Sequence, residues 1–335
     1  MTIVICLPGD RLTNVAAYVR LKFMKSFLSG HRVIFWSLLS VGVLAQSACA
    51  EWQREETSLA WRDGTNVVWR FSFDPKKGKT FFDPVAVRGT TLTNFKPEDH
   101  PWHYGLWFSW KYINKANYWE EDRQTGKAEG ATRWEPPAIE TKPDGSALIK
   151  LNVTYTHPSG RVDMTESRVF KISAVETDGS YTIDWLADFT AGKDGAVLDR
   201  TPMPGEPDGK INGGYAGLGL RMAAPPLTFS AVCSTGAMER FVSDRARPFA
   251  PAIAFNFSAE GRDVGGIALF SDPANVGGNA PWYVVNSKDM RFACAAVLAP
   301  KVLTLKPDEK MKLHYRIAVR STAWTVDSLR ADAPK

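Results

Sequence analysis

The segment richest in chemically useful side chains runs from Asp99 to Trp107 and reads Asp-His-Pro-Trp-His-Tyr-Gly-Leu-Trp. It holds two of the chain's five histidines, His100 and His103, beside the carboxylate of Asp99. Imidazole and carboxylate together serve as an acid/base pair or as metal ligands. A neighbouring carboxylate also orients an imidazole and raises its pKa, which suits proton transfer near neutral pH. We therefore predict His100, His103 and Asp99 as catalytic residues, with a divalent metal at the two histidines as an alternative.

The spacing of the two histidines restricts the backbone that can bring them together. Residues three positions apart point to opposite faces of a regular strand. Pro101 lies between them and disfavours a central strand. We expect a loop or bulge in which both rings converge. The alternative is a turn in which one histidine only caps backbone groups.

Tryptophans are concentrated in and after this segment. Aromatic faces stack on the C–H face of a pyranose while carboxylates and amides bind its hydroxyls, so this composition is typical of a sugar site. Trp107, Trp119 and Glu121 are predicted to bind substrate on this basis. Because aromatic side chains also bury large areas, the alternative is that most of these rings belong to the core. The tryptophans of this stretch are Trp102, Trp107, Trp110, Trp119 and Trp134.

A glycine-rich segment runs from Gly213 to Arg221 and reads Gly-Gly-Tyr-Ala-Gly-Leu-Gly-Leu-Arg. It lacks the GxxxxGK[ST] pattern and a strand-to-helix context, so it does not predict nucleotide binding. The glycines instead indicate bulges or close approach of another backbone. Arg221 is predicted to bind a substrate hydroxyl or carboxylate, with a structural ion pair as the alternative.

Apolar and polar residues alternate with a period of two along much of the chain, which predicts half-buried strands. Gly, Pro and Asp turn signals separate these runs, and only residues 325–331 look helical. Many strands without a βαβ rhythm predict an all-β fold, a large two-sheet β-sandwich. Strands are predicted at 67–73, 85–88, 150–155, 183–189, 227–233, 253–257, 266–270, 282–286, 292–298 and 313–320.

The N-terminal region reads as an export signal. A basic stretch begins at Met24-Lys25, an apolar run covers residues 33–45, and Ala48-Cys49-Ala50 ends it with small residues. This pattern predicts a signal peptide cleaved after Ala50 and a periplasmic or secreted protein, with lipidation of Cys49 as an alternative. The chain then divides into an N-terminal extension with signal peptide, residues 1–50, and one β-sandwich domain, residues 51–335. The apolar run is short for a membrane span, so no integral span is predicted.

Charge and cysteine content limit the partners. The whole chain carries a net charge of +5, but five basic residues and one acidic residue lie in positions 1–50, so the remainder is close to neutral. Nucleic acid is therefore not a predicted partner. Two cysteines follow the signal, Cys233 and Cys294; an oxidising compartment permits a disulfide between them, and buried free thiols are the alternative.

Four blocks of the sequence resemble the PmoA-like family of secreted bacterial proteins, a domain of unknown function that carries the label "methane oxygenase PmoA". The resemblance covers roughly residues 65–325. Lys115 departs from the pattern where the family has glycine, and the usual histidine after Asp272 is absent. The matching blocks are the Asp99–Trp107 segment with Ile113-Asn114 and Tyr118-Trp119, the Gly213–Arg221 segment, the stretch from Gly266 through Asp272-Pro273-Ala274-Asn275 to Trp282, and the stretch from Leu305 to Arg316.

The resemblance implies a role in carbohydrate metabolism, and the expected fold is similar to the galactose-mutarotase-like supersandwich. Together with the residues it predicts a secreted carbohydrate-active protein that performs acid/base chemistry, as an epimerase, lyase or hydrolase, on a sugar or keto-sugar. His100 and His103 would transfer protons while Arg221 and Glu121 orient the substrate. Two alternatives remain: a non-catalytic glycan-binding module, which needs an exposed aromatic platform, and a metal-dependent oxygenase or hydrolase, which needs a third ligand beside the histidines.

Overall fold

The computed structural model describes residues 50–238, 241–276 and 281–334. The predicted signal peptide, its basic start and Cys49 therefore lie outside the described residues, apart from Ala50. The predictions of export and of lipidation stay predictions.

The described chain consists of strands, one 3₁₀ turn at Pro75–Lys77 and one short α-helix near the C-terminus. In chain order the elements are β1 (Glu51–Glu55), β2 (Ser58–Asp63), β3 (Asn66–Ser72), β4 (Phe81–Val87), β5 (Thr90–Thr91), β6 (Leu106–Ser109), β7 (Tyr112–Ile113), β8 (Ala116–Asn117), β9 (Ala131–Trp134), β10 (Ala138–Thr141), β11 (Ala147–Thr156), β12 (Val162–Ile172), β13 (Tyr181–Ala191), β14 (Ala196–Asp199), β15 (Gly217–Arg221), β16 (Thr228–Cys233), β17 (Gly236–Ala237), β18 (Arg245–Ala246), β19 (Ala252–Ala259), β20 (Arg262–Ser271), β21 (Trp282–Asn286), β22 (Arg291–Ala295), β23 (Leu303–Leu305), β24 (Lys310–Arg320) and α1 (Val326–Asp332).

Two large sheets contain most of these strands. The first has the order β1-β2-β3-β4-β6-β15-β22-β21-β18, and the second has the order β10-β11-β12-β13-β24-β20-β19-β16-β17. A smaller sheet, β23-β14-β7-β8, accompanies them. Strand accounts for 51% of the described residues and helix for 4%, so the prediction of an all-β, two-sheet sandwich is confirmed.

The core lies between the two large sheets and follows from the period of two. In β13 every second residue from Tyr181 to Ala191 is buried, as half-buried strands require. Rings from the two sheets pack against each other: the ring centroids of Phe71 and Phe170 lie 5.0 Å apart, and those of Phe82 and Trp185 lie 6.3 Å apart. Each fully buried side chain of this kind stabilises the fold by about 1.5–3 kcal/mol.

The first sheet is apolar on its outer face as well. Register pairs Phe81 with Trp107, Trp107 with Gly219, Gly219 with Cys294 and Cys294 with Tyr283, so one row crosses β4, β6, β15, β22 and β21. This row and its neighbours form a second hydrophobic cluster, separate from the core between the sheets. We call its ring-bearing members the aromatic cluster: Phe81, Tyr104, Trp107, Trp119, Tyr283 and Phe292.

The predicted C-terminal helix is confirmed as α1. Thr325 caps it, accepting a hydrogen bond from the backbone of Ser328, which satisfies an otherwise unpaired donor of the first turn. Leu329 and Trp324 pack the helix against small residues on the outer face of the second sheet. No helix within the described residues is long and apolar enough to cross a membrane.

The two cysteines do not form the disulfide that the sequence left open. Cys233 ends β16 in the second sheet and Cys294 lies on β22 in the first, and both are buried free thiols. Burial raises the pKa of the Cys294 thiol to about 12, so this group stays protonated and unreactive.

Candidate functional site

Two consecutive turns bring the histidines together. The backbone N–H of His100 donates to the carbonyl of Pro97 at 3.1 Å, and that of His103 donates to the carbonyl of His100 at 3.0 Å. Pro101 lies within the second turn, where its fixed φ is compatible with the backbone. The two imidazole rings stack with centroids 4.7 Å apart. The loop conformation expected from the spacing is therefore confirmed.

Asp99 connects the outer histidine to Arg221. His100 Nδ1 lies 2.8 Å from Asp99 Oδ2, and Arg221 Nη2 donates to both carboxylate oxygens at 2.8 Å. Burial alone would raise the pKa of Asp99, but the hydrogen bonds from His100 and Arg221 and the charge of Arg221 outweigh it and lower this pKa. Asp99 is therefore a fixed anion at neutral pH.

His103 occupies the buried side of the site. Its exposure is 3%, and its ring stacks on Phe292 at 4.8 Å and lies 4.9 Å from Trp107. Burial, reinforced by electrostatic interactions with Arg221, Lys79 and His100, lowers its pKa well below the usual value. The expected rise in imidazole pKa is therefore wrong for this histidine, because Asp99 faces His100 instead.

Arg221 contacts both halves of the histidine pair. It ends β15, and its Nη1 lies 3.5 Å from His103 Nδ1 while its Nη2 holds Asp99. Nη2 also donates to the carbonyl of Asp289 at 2.8 Å. The two sequence interpretations of Arg221 are thus not exclusive: it forms an ion pair, and that pair lies at the candidate site. We call Asp99, His100, His103 and Arg221 the histidine–arginine cluster.

The predicted tryptophans lie beneath the site rather than on its surface. Trp107 and Trp119 are 0% and 1% exposed, and their ring centroids lie 5.5 Å apart. The expectation that their faces are open to a sugar is not met, and the core alternative applies to both. The half-buried residues packed on the aromatic cluster are the ones that a ligand can reach: Phe95, Trp102, Met203, Tyr215 and Met290.

Glu121 has protein partners for both of its oxygens. Lys79 Nζ lies 2.5 Å from Oε1, Tyr104 donates its hydroxyl to Oε2 at 2.9 Å, and Lys96 lies 3.4 Å from Oε2. Among the described residues no contact joins it to Arg221. The carboxylate therefore holds Lys79 and Tyr104 in place, and its predicted contact with substrate is not what this geometry favours.

Sequence reasoning missed Glu120, which has a different set of partners from Glu121. Glu120 bonds Lys111, the hydroxyl of Tyr215 and, at 2.8 Å, Asn117. Two adjacent glutamates thus tie the segment that follows the buried Trp119 to two different lysines. The signal was available as the Glu-Glu pair after Trp119, but the lysine partners are 9 and 42 positions away and only the sheet brings them close.

The metal alternative finds little support at the histidines. In the part of the chain that the structure describes, no three His, Cys, Asp or Glu side chains group as metal ligands. The guanidinium of Arg221, which is 2% exposed, also places a permanent positive charge beside both imidazoles and repels a divalent cation.

The fold and the site define an all-β sandwich protein with a histidine–arginine cluster on the outer face of one sheet. The chain belongs to a family of unknown function, DUF6807, whose model matches residues 58–333. The description of this family names no activity. Membership of a family of unknown function is therefore shown, but the label "methane oxygenase PmoA" is not confirmed. No protein with a curated description matches the chain.

Solved structures similar to this chain include the Slr1438 protein from Synechocystis sp. PCC 6803, with 9% identity, a TM-score of 0.43 and coverage of 82% of this chain and 96% of that one. A "putative aldose 1-epimerase" from Klebsiella pneumoniae has 9% identity, a TM-score of 0.37 and 82% coverage of both chains. A galactose mutarotase related enzyme from Lactobacillus acidophilus has 7% identity, a TM-score of 0.29 and coverage of 85% and 99%. These values transfer neither an activity nor a residue role to this chain.

Proposed function

We propose that the protein is a carbohydrate-active enzyme that transfers a proton to or from a sugar or keto-sugar, in an epimerase or lyase reaction. The observation that carries this proposal is the histidine–arginine cluster itself. It combines an exposed imidazole oriented by a carboxylate with a buried neutral imidazole beside a guanidinium. An imidazole held by a carboxylate, next to a neutral imidazole that can donate a hydrogen bond, is an arrangement that suits acid/base catalysis.

His100 is the proton-accepting group in this proposal. Its Nδ1 donates to the ionised Asp99, which leaves the lone pair on Nε2 available as a base. One third of its side chain is exposed, so a substrate can reach it. Asp99 orients the ring and stabilises the imidazolium that forms when the proton is taken.

His103 and Arg221 polarise the substrate oxygen. Since Arg221 has only donors to offer, its approach to His103 Nδ1 makes that nitrogen the acceptor and puts the proton of the neutral ring on Nε2. An Nε2–H donor beside a guanidinium stabilises negative charge that develops on an oxygen. His103 thus acts as an electrophile rather than as a second base.

The proposed reaction follows from these roles. His100 takes the proton from a carbon next to a carbonyl, and the C–H electron pair moves to the carbonyl oxygen as an enolate held by His103 and Arg221. The epimer forms when the enolate turns within the site and the protonated His100 returns its proton to the other face of the carbon. The lyase product forms instead when the enolate expels the substituent at the next carbon, which takes the proton from His100 as it leaves.

A glycan-binding module is the weaker alternative. Such a module needs an exposed aromatic platform, whereas Trp107 and Trp119 are fully buried. The charged groups of the site are also paired with one another in a pattern that a flat stacking surface does not need.

Export remains part of the proposal. The first strand begins at Glu51, the residue at which the mature chain is predicted to start, and Trp52 packs 4.8 Å from Trp61. Cleavage after Ala50 would therefore leave every strand of the domain intact. A periplasmic or secreted location suits an enzyme acting on extracellular sugars.

A thermal-shift screen against monosaccharides, disaccharides and their 3-keto forms, followed by turnover assays on the hits, tests the function. His100→Gln is expected to reduce turnover of a hit by about 10²- to 10⁴-fold, the usual effect of losing an acid/base group, without unfolding the protein. His157→Gln is the matched control, since His157 lies in the turn after β11 and its side chain bonds only Ser159 among the described residues. Equal turnover in His100→Gln and wild type would contradict the proposal.

A further inference from the structure

A second cationic site lies at the other end of the aromatic cluster, at Tyr283 on β21. The Arg245 Nε–H donates to the Tyr283 hydroxyl at 3.1 Å, and the guanidinium of Arg247 lies over the Tyr283 ring, 4.4 Å from its centroid. Both arginines are half-buried. Two like charges are thus held together on one aromatic ring.

The glycine-rich segment clamps Arg247 in this position. Its Nη2 donates to the carbonyls of Ile211 and Gly213 at 3.1 and 2.6 Å. Gly214 has φ of +89°, and a Cβ there would lie 3.2 Å from Arg247 Nη1. The guanidinium therefore has a fixed orientation, while Nε and Nη1 have no hydrogen-bond partner among residues 50–238, 241–276 and 281–334.

Within the described ranges neither Arg245 nor Arg247 has a carboxylate partner. Each of the three fully buried arginines among the described residues has one: Arg168 pairs with Glu166, Arg200 with Glu206 and Arg221 with Asp99. A partly desolvated cation pair without an anion is electrostatically incomplete, because burial penalises charge that is not compensated. This arrangement attracts an anion from outside the chain.

The cation pair is connected to the histidine–arginine cluster through rings in contact. The ring centroids of His103 and Phe292 lie 4.8 Å apart, and those of Phe292 and Tyr283 lie 6.2 Å apart. The guanidinium carbon of Arg247 lies 4.4 Å from the Tyr283 centroid. The two charged ends are therefore at most about 15 Å apart. Half-buried Tyr215 and Met203 pack on the same cluster and offer surface for a sugar ring between the ends.

We propose that Arg245 and Arg247 form an anion-binding subsite that takes the carboxylate of an acidic sugar, so that the substrate is a uronate-containing disaccharide. Nε and Nη1 of Arg247 and Nη2 of Arg245 have no hydrogen-bond partner among the described residues, so a planar carboxylate can accept a charge-assisted hydrogen bond from each arginine. The sugar ring bearing the carboxylate would lie at Tyr283, and the ring that reacts would lie at His100. This inference rests on the proposed function and names its substrate class.

Calorimetric titration with paired disaccharides, each in its neutral and its uronate form, tests the subsite. Wild type is expected to bind at least one uronate form about 10- to 100-fold more tightly than its neutral partner, the usual value of a charge-assisted hydrogen bond. Arg247→Gln should bring this ratio close to one, and Arg247→Lys, which keeps the charge but not the guanidinium hydrogen bonds, should retain part of it. Arg262→Gln is the matched control, because Arg262 is exposed at the start of β20.

The outcomes separate this inference from the proposed function. Neutral and uronate forms that bind wild type equally across the series would overturn the subsite, and so would a ratio that survives in Arg247→Gln. Tighter binding of a sugar 6-phosphate than of the uronate would overturn the carboxylate assignment. A uronate that binds through Arg247 but whose turnover does not depend on His100 would refute the proposed function and leave the subsite intact.

Discussion

Among single residues, Arg221 has the largest influence on the charge of Asp99 and on the position of the proton of His103. One of its nitrogens fixes Asp99 as an anion and the other faces the neutral His103. The histidines were predictable because they are neighbours in the sequence. The partner of Asp99 was not, since Arg221 lies 122 positions away and only the pairing of β6 with β15 brings it there.

The depressed pKa of His103 predicts a pH-dependent stability. In the unfolded chain this histidine protonates below about pH 6.5, whereas the folded site keeps it neutral. The contribution of the neutral His103 to the free energy of unfolding is therefore fully present above pH 6.5. It is lost as the pH falls from 6.5 towards the lower pKa that His103 has in the folded protein. The loss approaches about 1.4 kcal/mol per pH unit for one group.

Urea denaturation of wild type and His103→Gln at pH 7.5 and pH 5.0 measures this effect. The free energy of unfolding of wild type should fall more over this interval than that of the variant, because glutamine takes up no proton. His157→Gln, with its half-exposed ring, should retain the wild-type slope. Equal slopes in wild type and His103→Gln would show that the buried imidazole does not stay neutral.

At the scale of elements, glycines position the site. Gly105 has φ of +67°, and a Cβ there would lie 2.7 Å from the carbonyl of Phe82, so the histidine loop can enter β6 only through glycine. Gly219 on β15 leaves room for the indole of Trp107, which a Cβ would approach to 3.0 Å. The glycines of the glycine-rich segment predicted close approach of a neighbouring group, but the sequence could not show that the group at Gly219 is the ring of Trp107.

The hairpin between β7 and β8 has a lysine where its turn conformation favours glycine. Its two-residue turn, Asn114-Lys115, has φ of 50° and 73°, the left-handed conformation that favours Asn-Gly. Asn114 is further held by Asp163 and by the backbone of Val197. Lysine at the second position is therefore strained, and this is the position where the resembling pattern has glycine.

Lys115→Gly is expected to stabilise the protein by about 0.5–1 kcal/mol, because the side-chain strain exceeds the added chain entropy. Chemical denaturation monitored by tryptophan fluorescence measures the difference. Lys127→Gly, at an exposed loop position without positive φ, is the control and should be neutral or destabilising. A destabilised Lys115→Gly would mean that the lysine side chain contributes contacts that outweigh its backbone strain.

At the scale of the whole molecule, the period of two was sufficient to predict a two-sheet sandwich. It could not reveal that the first sheet is apolar on both faces, since alternation assigns one face to the core and the other to solvent. Trp107 and Phe108 are adjacent in β6 and both buried, one in the aromatic cluster and the other between the sheets. This second buried face is where the histidine–arginine cluster lies.

In the proposed mechanism the histidine–arginine cluster moves a proton on a sugar carbon. Incubating the protein in deuterium oxide with the sugars that stabilise it, and following their C–H signals by NMR, shows whether this proton is exchanged. Wild type should exchange one C–H next to the carbonyl for deuterium, and His100→Gln should lose this exchange while still binding the sugar. A bound sugar that gains no deuterium, or equal exchange by His100→Gln, would contradict the account.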